Sequence, residues 1–305
     1  MNVFGDKWSF TSFGESHGVA IGGVLDGVPA GLHIDFDMIR EELLRRKGAT
    51  GYGLLDTGVS ARAVREPDEV EWLSGVLDGV TLGTPIAFII RNKDARSEDY
   101  EYLKHTYRVG HADKVYEQKY GLRDWRGGGR ASARETASRV VAGCLAKQEL
   151  AEKGVRIQAQ LVQVGAETDP NKFAEVIAAY QKEGDSIGGI VECRITGLPV
   201  GTGEPIFDKL QAHLAYAIMS INACKGFEYG TGFGGVTQPG SAINHISGGI
   251  AGGISDGTDV VFRCVFKPTP STPKAGVKGR HDACVAVRAV PVVEAMTALS
   301  LVQFL

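Results

Sequence analysis

Five cysteines, Cys144, Cys193, Cys224, Cys264 and Cys284, form no CxxC pair and are odd in number. That excludes a disulfide framework and a thiolate metal site, and it fits reduced, mostly buried thiols. No apolar run approaches the length that spans a bilayer. The opening MNVFGDKW lacks a basic segment followed by an apolar one, so no signal peptide is expected and the expected location is cytoplasmic. Charge of one sign is not in excess: 33 basic and 36 acidic residues give a net −3, which argues against a nucleic-acid surface. The common phosphate and nucleophile signatures are missing as well. There is no GxxxxGK[ST], no GxGxxG between a strand and a helix and no HExxH, and GESHG at 14–18 is not GxSxG. A nucleotide-dependent transferase therefore has nothing to recommend it, and no metal site is expected.

Glycine is abundant: 41 residues, without a collagen period. The most informative stretch is GGGRASARETASRVVAG at 127–143. Ser132 and Glu135 have capping-box spacing, and Ala137, Val140, Val141, Cys144 and Leu145 recur on one helical face. The glycines thus form a loop that ends at a helix start, where backbone N–H groups favour an anion, and Arg130 and Arg134 add two guanidinium forks. A plain Gly-rich turn before an amphipathic helix reads the same letters equally well.

Along the chain, strands are expected at 8–13, 19–28, 155–164, 190–195 and 259–266. The runs EVEWLSGV and TPIAFII flank Asp78-Gly79, a hairpin signal. Helices are expected from Asp35 or Asp37 to Arg46, over 171–182, from Asp208 to Lys225 with Gly226 as the stop, and over about 292–304. Residues 48–64 and 92–104 read as loops. Strands and helices mix without a strict βαβ rhythm, which predicts an α+β class in one domain over 1–305. Basic groups cluster at 40–47, 108–111, 130–139 and 278–280, and His17 and His111 each stand beside a glycine. Last-turn cations suit a helix dipole, and a turn histidine is commonly just exposed. The functional alternative is an enzyme that binds a small multiply charged anion, with two histidines as proton donors.

Long motifs decide between these readings. FGESHGVAIGGVLDGVP at 13–29, RGGGRASARETASRVVAG at 126–143 and KGRHDACVAVRAVPVVEAM at 278–296 resemble the chorismate synthase family. GHAD at 110–113, YEQKYGLRDW at 116–125, KEGDSIGG at 182–189, MSINACKG at 219–226, SGGIAGGISDG at 247–257 and KPTPS at 267–271 extend the resemblance over nearly the whole chain. It implies a βαβ sandwich with helices packed between antiparallel sheets, assembled as a homotetramer. It also implies conversion of 5-enolpyruvylshikimate 3-phosphate to chorismate and phosphate, with reduced FMN that is not consumed.

By the same resemblance, His17 keeps the flavin in its reactive protonation state, His111 is general acid to the leaving phosphate, and Asp282 is the carboxylate near flavin N5. Arg130, Ala131, Ser132, Asn222, Ala223, Gly252, Lys267, Pro268, Thr269, Pro270, Ser271 and Arg280 align with FMN contacts. Arg108 and Arg134 align with substrate contacts, and Arg46 with a substrate or reductant position. The resemblance leaves open whether the chain reduces FMN with NADPH or depends on an external flavin reductase. The sequence departs from the family at 47–64, which lacks a clear second arginine. It also has Ala131 where Ser is frequent, Val109 and Ala283 where Pro is usual, and a short 235–246 segment. A relative that binds flavin and anions without turnover is the competing class.

Overall fold

The computed structural model describes residues 2–48, 65–242, 247–277 and 281–305. The expectations for 49–64, and for Arg280, lie outside the described residues.

Two antiparallel sheets face each other across a double layer of helices. The first sheet runs Val3–Phe4, Ser9–Phe13, Ala20–Asp26, Ile86–Arg91, Val70–Ser74 in spatial order. The second runs Cys224–Tyr229, Val260–Phe266, Gly189–Thr196, Arg156–Val164. The central strands Ile86–Arg91, Gly189–Thr196 and Val260–Phe266 alternate, as strands with one buried face should. Ile21 and Leu25 bury beside Ile86, Phe88 and Ile90 in the first sheet. Val191, Cys193 and Ile195 bury beside Val260, Phe262, Cys264 and Phe266 in the second.

Between the sheets lie the central helix Thr136–Glu152, packed on the first sheet, and the C-terminal helix Ala286–Leu301, packed on the second. Their backbones come close because residue 143 is glycine: a β-carbon there would collide with the β-carbon and Cα of Ala295. Every residue of the C-terminal helix is buried. The first helix, Phe36–Arg46, starts where the Asp35 side chain accepts from the Met38 N–H at 2.9 Å. It buries Ile39 and Leu43 against this pair and carries Arg46 inward. Glu294 ties the layers together. It meets Arg45 at 2.8 Å, Lys147 at 2.7 Å and the Ala159 N–H at 2.8 Å. Burial alone would raise its carboxyl, yet Arg45 and Lys147 hold it below the ordinary range. The five cysteines are buried and unbridged.

Four expectations about elements are corrected. Asp78-Gly79 does close a tight hairpin, with both residues at positive φ, but it joins Val76–Leu77 to Val80–Leu82 in a small separate sheet with Ala30–His33. The runs expected to form that hairpin meet as Val70–Ser74 and Ile86–Arg91 across this ribbon. The helix expected to reach Lys225 spans Leu210–Met219 only, and Ala223 at φ 67° turns the chain into the strand Cys224–Tyr229. The last helix begins at Ala286 rather than 292 and keeps Pro291 inside it. Part of 92–104 is a 3-10 helix, Ser97–Leu103.

Candidate active site

The ends of these elements surround a cleft of about 660 Å³, a size typical of ligand sites. His17, His111 and Asp282 all line it. So do Arg46, Arg108, Arg130, Ala131, Ser132 and Arg134, with Asn222, Ala223, Lys267, Thr269, Pro270 and Ser271. Two expected contacts do not. Pro268 lies against Gly188, and Gly252 sits exposed in the turn between Ile250–Ala251 and Ile254–Ser255.

The glycine stretch is a loop, as expected, but the helix starts later than its capping signal. Gly127 and Gly129 take positive φ, and Gly129–Ala131 and Ala133–Glu135 are 3-10 turns. Ser132 Oγ accepts from the Arg134 N–H at 3.2 Å. Glu135 pairs forward with Arg139 at 3.0 Å rather than back to the cap, so half of the capping box forms. Arg130 donates to the Gly14 carbonyl at 3.0 Å and to Ser12 Oγ at 2.8 Å, and among the described residues it has no carboxylate partner.

His17 stands on the turn after Ser9–Phe13. Its Nδ1 lies 3.2 Å from Ser16 Oγ, and its ring meets the Tyr100 ring edge-on at 4.9 Å. Gly127 presses on the imidazole; a β-carbon there would collide with Nδ1. His111 Nδ1 lies 2.8 Å from Asp113 Oδ1. Arg108 grips the same carboxylate through Nη2 at 2.8 Å and Nε at 2.9 Å, and reaches the Gly127 carbonyl at 2.8 Å. Asp282 is buried and accepts from Arg288 Nη1 at 2.8 Å.

Arg46 and Arg134 share one acid. Asp68, with φ 55° and a side chain sealed from solvent, accepts from Arg46 Nη2 at 2.6 Å and from Arg134 Nη1. Burial would raise the Asp68 carboxyl, but the two guanidinium charges bring it down to about 2. Arg46 is 1% exposed, and burial lowers its pKa to about 10, so it stays charged near neutrality. Its Nε and Nη1 have no partner among the described residues. The same holds for Asn222 Oδ1, Ser271 Oγ and His281 Nε2, all on side chains that line the cleft. Arg134 differs: its Nε donates to Asn92 Oδ1 at 2.9 Å and its Nη2 to the Arg91 carbonyl at 3.3 Å, so the protein itself occupies the fork.

Four residues that shape the cleft were not singled out in the sequence: Asp68, Tyr100, Asp113 and Arg288. Asp113 ends the GHAD motif, and Arg288 lies six residues after Asp282, so both stood beside residues already marked. Asp68 and Tyr100 lie in polar segments with no local pattern to mark them.

A basic cleft that brings together two histidines, a buried carboxylate and unpartnered buried donors defines an acid–base enzyme of a small, multiply anionic molecule. The family model for chorismate synthase matches residues 8–305. Curated relatives include the chorismate synthase of Phocaeicola vulgatus, 46% identical over 356 aligned positions that cover 99% of this chain and 97% of the relative. That of Porphyromonas gingivalis is 46% identical, covering 99% of this chain and 94% of the relative. A chorismate synthase crystal structure superposes with a TM-score of 0.79 at 29% identity, covering 99% of this chain and 92% of that one. The chain belongs to the chorismate synthase family. It is a carbon–oxygen lyase of the shikimate pathway to aromatic amino acids, and its reaction is the anti-1,4-elimination of phosphate from 5-enolpyruvylshikimate 3-phosphate to give chorismate.

Proposed function

We propose that the cleft holds reduced FMN together with the substrate, and that His111, His17 and Asp282 carry the proton chemistry. The observation behind this reading is the convergence of motif residues from widely separated stretches on one cleft. The lining fits such a cofactor. Seven cationic side chains, Arg46, Arg108, Arg130, Arg134, Arg139, Lys267 and Arg288, outnumber the lining acids Glu66, Glu135 and Asp282. Two phosphates and two carboxylates, from cofactor and substrate together, would neutralise that excess. Arg46 Nε and Nη1 suit an anion, and Asn222 Oδ1 and Ser271 Oγ suit the polar edge of a ring system. Arg130, Ala131, Ser132, Asn222, Ala223, Lys267, Thr269, Pro270 and Ser271 would hold the flavin, with Arg280 beyond the described residues.

Reduced FMN, when bound, supplies an electron-rich ring that lets phosphate and hydrogen leave opposite faces with no net redox. The chain supplies the rest. His111 gives a proton to the departing phosphate oxygen. His17 keeps a proton at the cofactor edge, with Ser16 and Tyr100 fixing its ring. Asp282, anchored by Arg288, presents a carboxylate where the C6 hydrogen is lost. Gly252, outside its own cleft, would meet flavin only across a homotetramer interface. NADPH or an external flavin reductase would provide the reduced cofactor in the cytoplasm.

An anaerobic assay of phosphate release tests this reading. Release is expected to need reduced FMN in catalytic amount. His17→Gln and His111→Gln are each expected to lower turnover ~10²–10⁴-fold, the usual worth of a general acid or base, while FMN still binds. Release with oxidised FMN, or one flavin oxidised per product, contradicts the proposal. Running the assay with NADPH as sole reductant separates self-reduction from an outside source.

A further inference from the structure

We propose that Asp113 is the positioning residue for His111, and that Arg108 serves as the counter-ion that anchors Asp113. This rests on the reading of His111 as the acid at the phosphate.

Hydrogen counting assigns the tautomer. Arg108 Nη2 carries two hydrogens. One points to Asp113 Oδ1 at 2.8 Å and the other to the Gly127 carbonyl at 2.8 Å. His111 Nδ1 lies farther from Nη2, at 3.2 Å, where it can only share one of these hydrogens. The close partner of Nδ1 is Asp113 Oδ1, at 2.8 Å, and a carboxylate there can only accept. His111 therefore carries its hydrogen on Nδ1, and Nε2 is the nitrogen left to exchange a proton with a ligand. An imidazolium held this way gives up its Nε2 proton and is left in the tautomer that Asp113 already stabilises. No ring flip or proton relocation intervenes.

Asp113 itself is immobilised. Its second oxygen accepts from Arg108 Nε at 2.9 Å and from the Arg108 N–H at 3.1 Å, and its side chain is 5% exposed. Burial opposes its charge, yet Arg108 and His111 hold the carboxyl well below the usual carboxylate range. The local sequence makes the arrangement: Gly110 at φ 71° turns the chain so that residues 108, 111 and 113 face one another. Tyr100 lies 6.0 Å beneath the guanidinium. Among the described residues, the charged groups with bonds to His111 or its segment are Arg108, Asp113 and Lys267, whose ammonium lies 3.5 Å from the Gly110 carbonyl. Asp113 is the one acid among them. The guanidinium meets that carboxylate through Nε and Nη2, which leaves Nη1 for the cleft that Arg108 lines.

The test uses the full chain with reduced FMN and substrate. In Asp113→Asn, kcat is expected to fall ~10–10²-fold, part of the ~10²–10⁴ that a general acid contributes. KM should change little. The high-pH limb of the kcat profile should move to lower pH, because both the lost carboxylate and the uncompensated Arg108 disfavour a protonated imidazole. ¹⁵N-histidine spectra should show the Nδ1–H tautomer of His111 in the parent protein and a mixture in the variant. In a His111→Gln background, Asp113→Asn should add little further loss. Where Asp113→Asn alone fails to fold, the charge-balanced pair Arg108→Gln/Asp113→Asn carries the same spectra and profiles. An unchanged tautomer, or an equal loss of kcat with and without His111, overturns the role given to Asp113. An unchanged His111 tautomer and an unchanged kcat in Arg108→Gln overturn the role given to Arg108. Full turnover in His111→Gln would instead sink the general-acid reading, while the spectra still judge whether Asp113 sets the tautomer.

Discussion

Arg46 Nη2 and Asp68 Oδ2 lie 2.6 Å apart with both side chains out of reach of solvent. The pair joins the end of the first helix to a residue held at φ 55°, a conformation that Asp and Asn tolerate better than most. Asp68→Asn therefore isolates the charge. It leaves Arg46 and Arg134 buried without their shared acid, and a loss of ~3–5 kcal/mol is expected in urea unfolding, as when one partner of a buried pair is removed. A loss below ~1 kcal/mol would show that the pair contributes little.

Acid should expose the same contact. The Asp68 carboxyl is depressed to about 2 in the fold, so its contribution is fully present above the ordinary carboxylate range near pH 4 and is lost as pH falls from there towards 2. Asp113 shifts in the same direction. Melting temperatures from pH 6 down to 3 should fall more steeply below pH 4 in the parent protein than in Asp68→Asn. Parallel curves would remove Asp68 from the acid transition.

Gly127→Ala should damage activity more than stability. Positive φ costs alanine about 1 kcal/mol, whereas the added methyl must displace the His17 imidazole or the loop that carries it. Misplacing a catalytic group by about an ångström can cost ~10²-fold, so kcat is expected to fall ~10–10²-fold with a melting point only a few degrees lower. Turnover within twofold of the parent would show that the ring has room to move.

Arg134→Ala should act on the fold. A substrate contact would be worth ~1.5–3 kcal/mol of binding, as for a hydrogen bond to a charged group. Yet all three guanidinium nitrogens of Arg134 already have protein partners, so a stability loss of ~3 kcal/mol or more is expected, with a smaller change in affinity. Calorimetric titration of a substrate analogue, set beside urea unfolding, separates the two. A tenfold weaker Kd at unchanged stability would restore Arg134 to the substrate.

Much of the architecture is legible in the sequence, where physics leaves a local trace. Strands such as 190–195 and 259–266 alternate because one face is buried. The Asp35 cap and the Asp78-Gly79 turn announce themselves because their backbone demands are met by few residue types. The C-terminal helix was misplaced at its start because it is buried on every side and so has no polar face to set a period, and Pro291 reads as a boundary. The helix after Lys209 was drawn too long because the turn at Ser220 to Ala223 uses alanine at positive φ rather than glycine. The motifs located the cleft, but not the division of labour within it. Whether an arginine faces a ligand or a carboxylate depends on acids distant in sequence: Asp68 lies 22 residues from Arg46 and 66 from Arg134.

The helix that fills the sandwich also sets an order of events in time. Ala286–Leu301 inserts between two sheets that come from earlier parts of the sequence, and Gln303, just beyond it, hydrogen-bonds the Asp6 and Lys7 N–H groups and the Trp8 carbonyl at 2.9–3.0 Å. Contacts between the far ends of a chain form late, because the closure entropy must be met before they are rewarded. Until then the second sheet and the central helix show apolar faces to water, Asp282 and Arg288 have no fixed place, and the cleft lacks a wall. Activity should therefore return in the slowest refolding phase, and the species that precede it should be the ones that aggregate and the ones that chaperones hold.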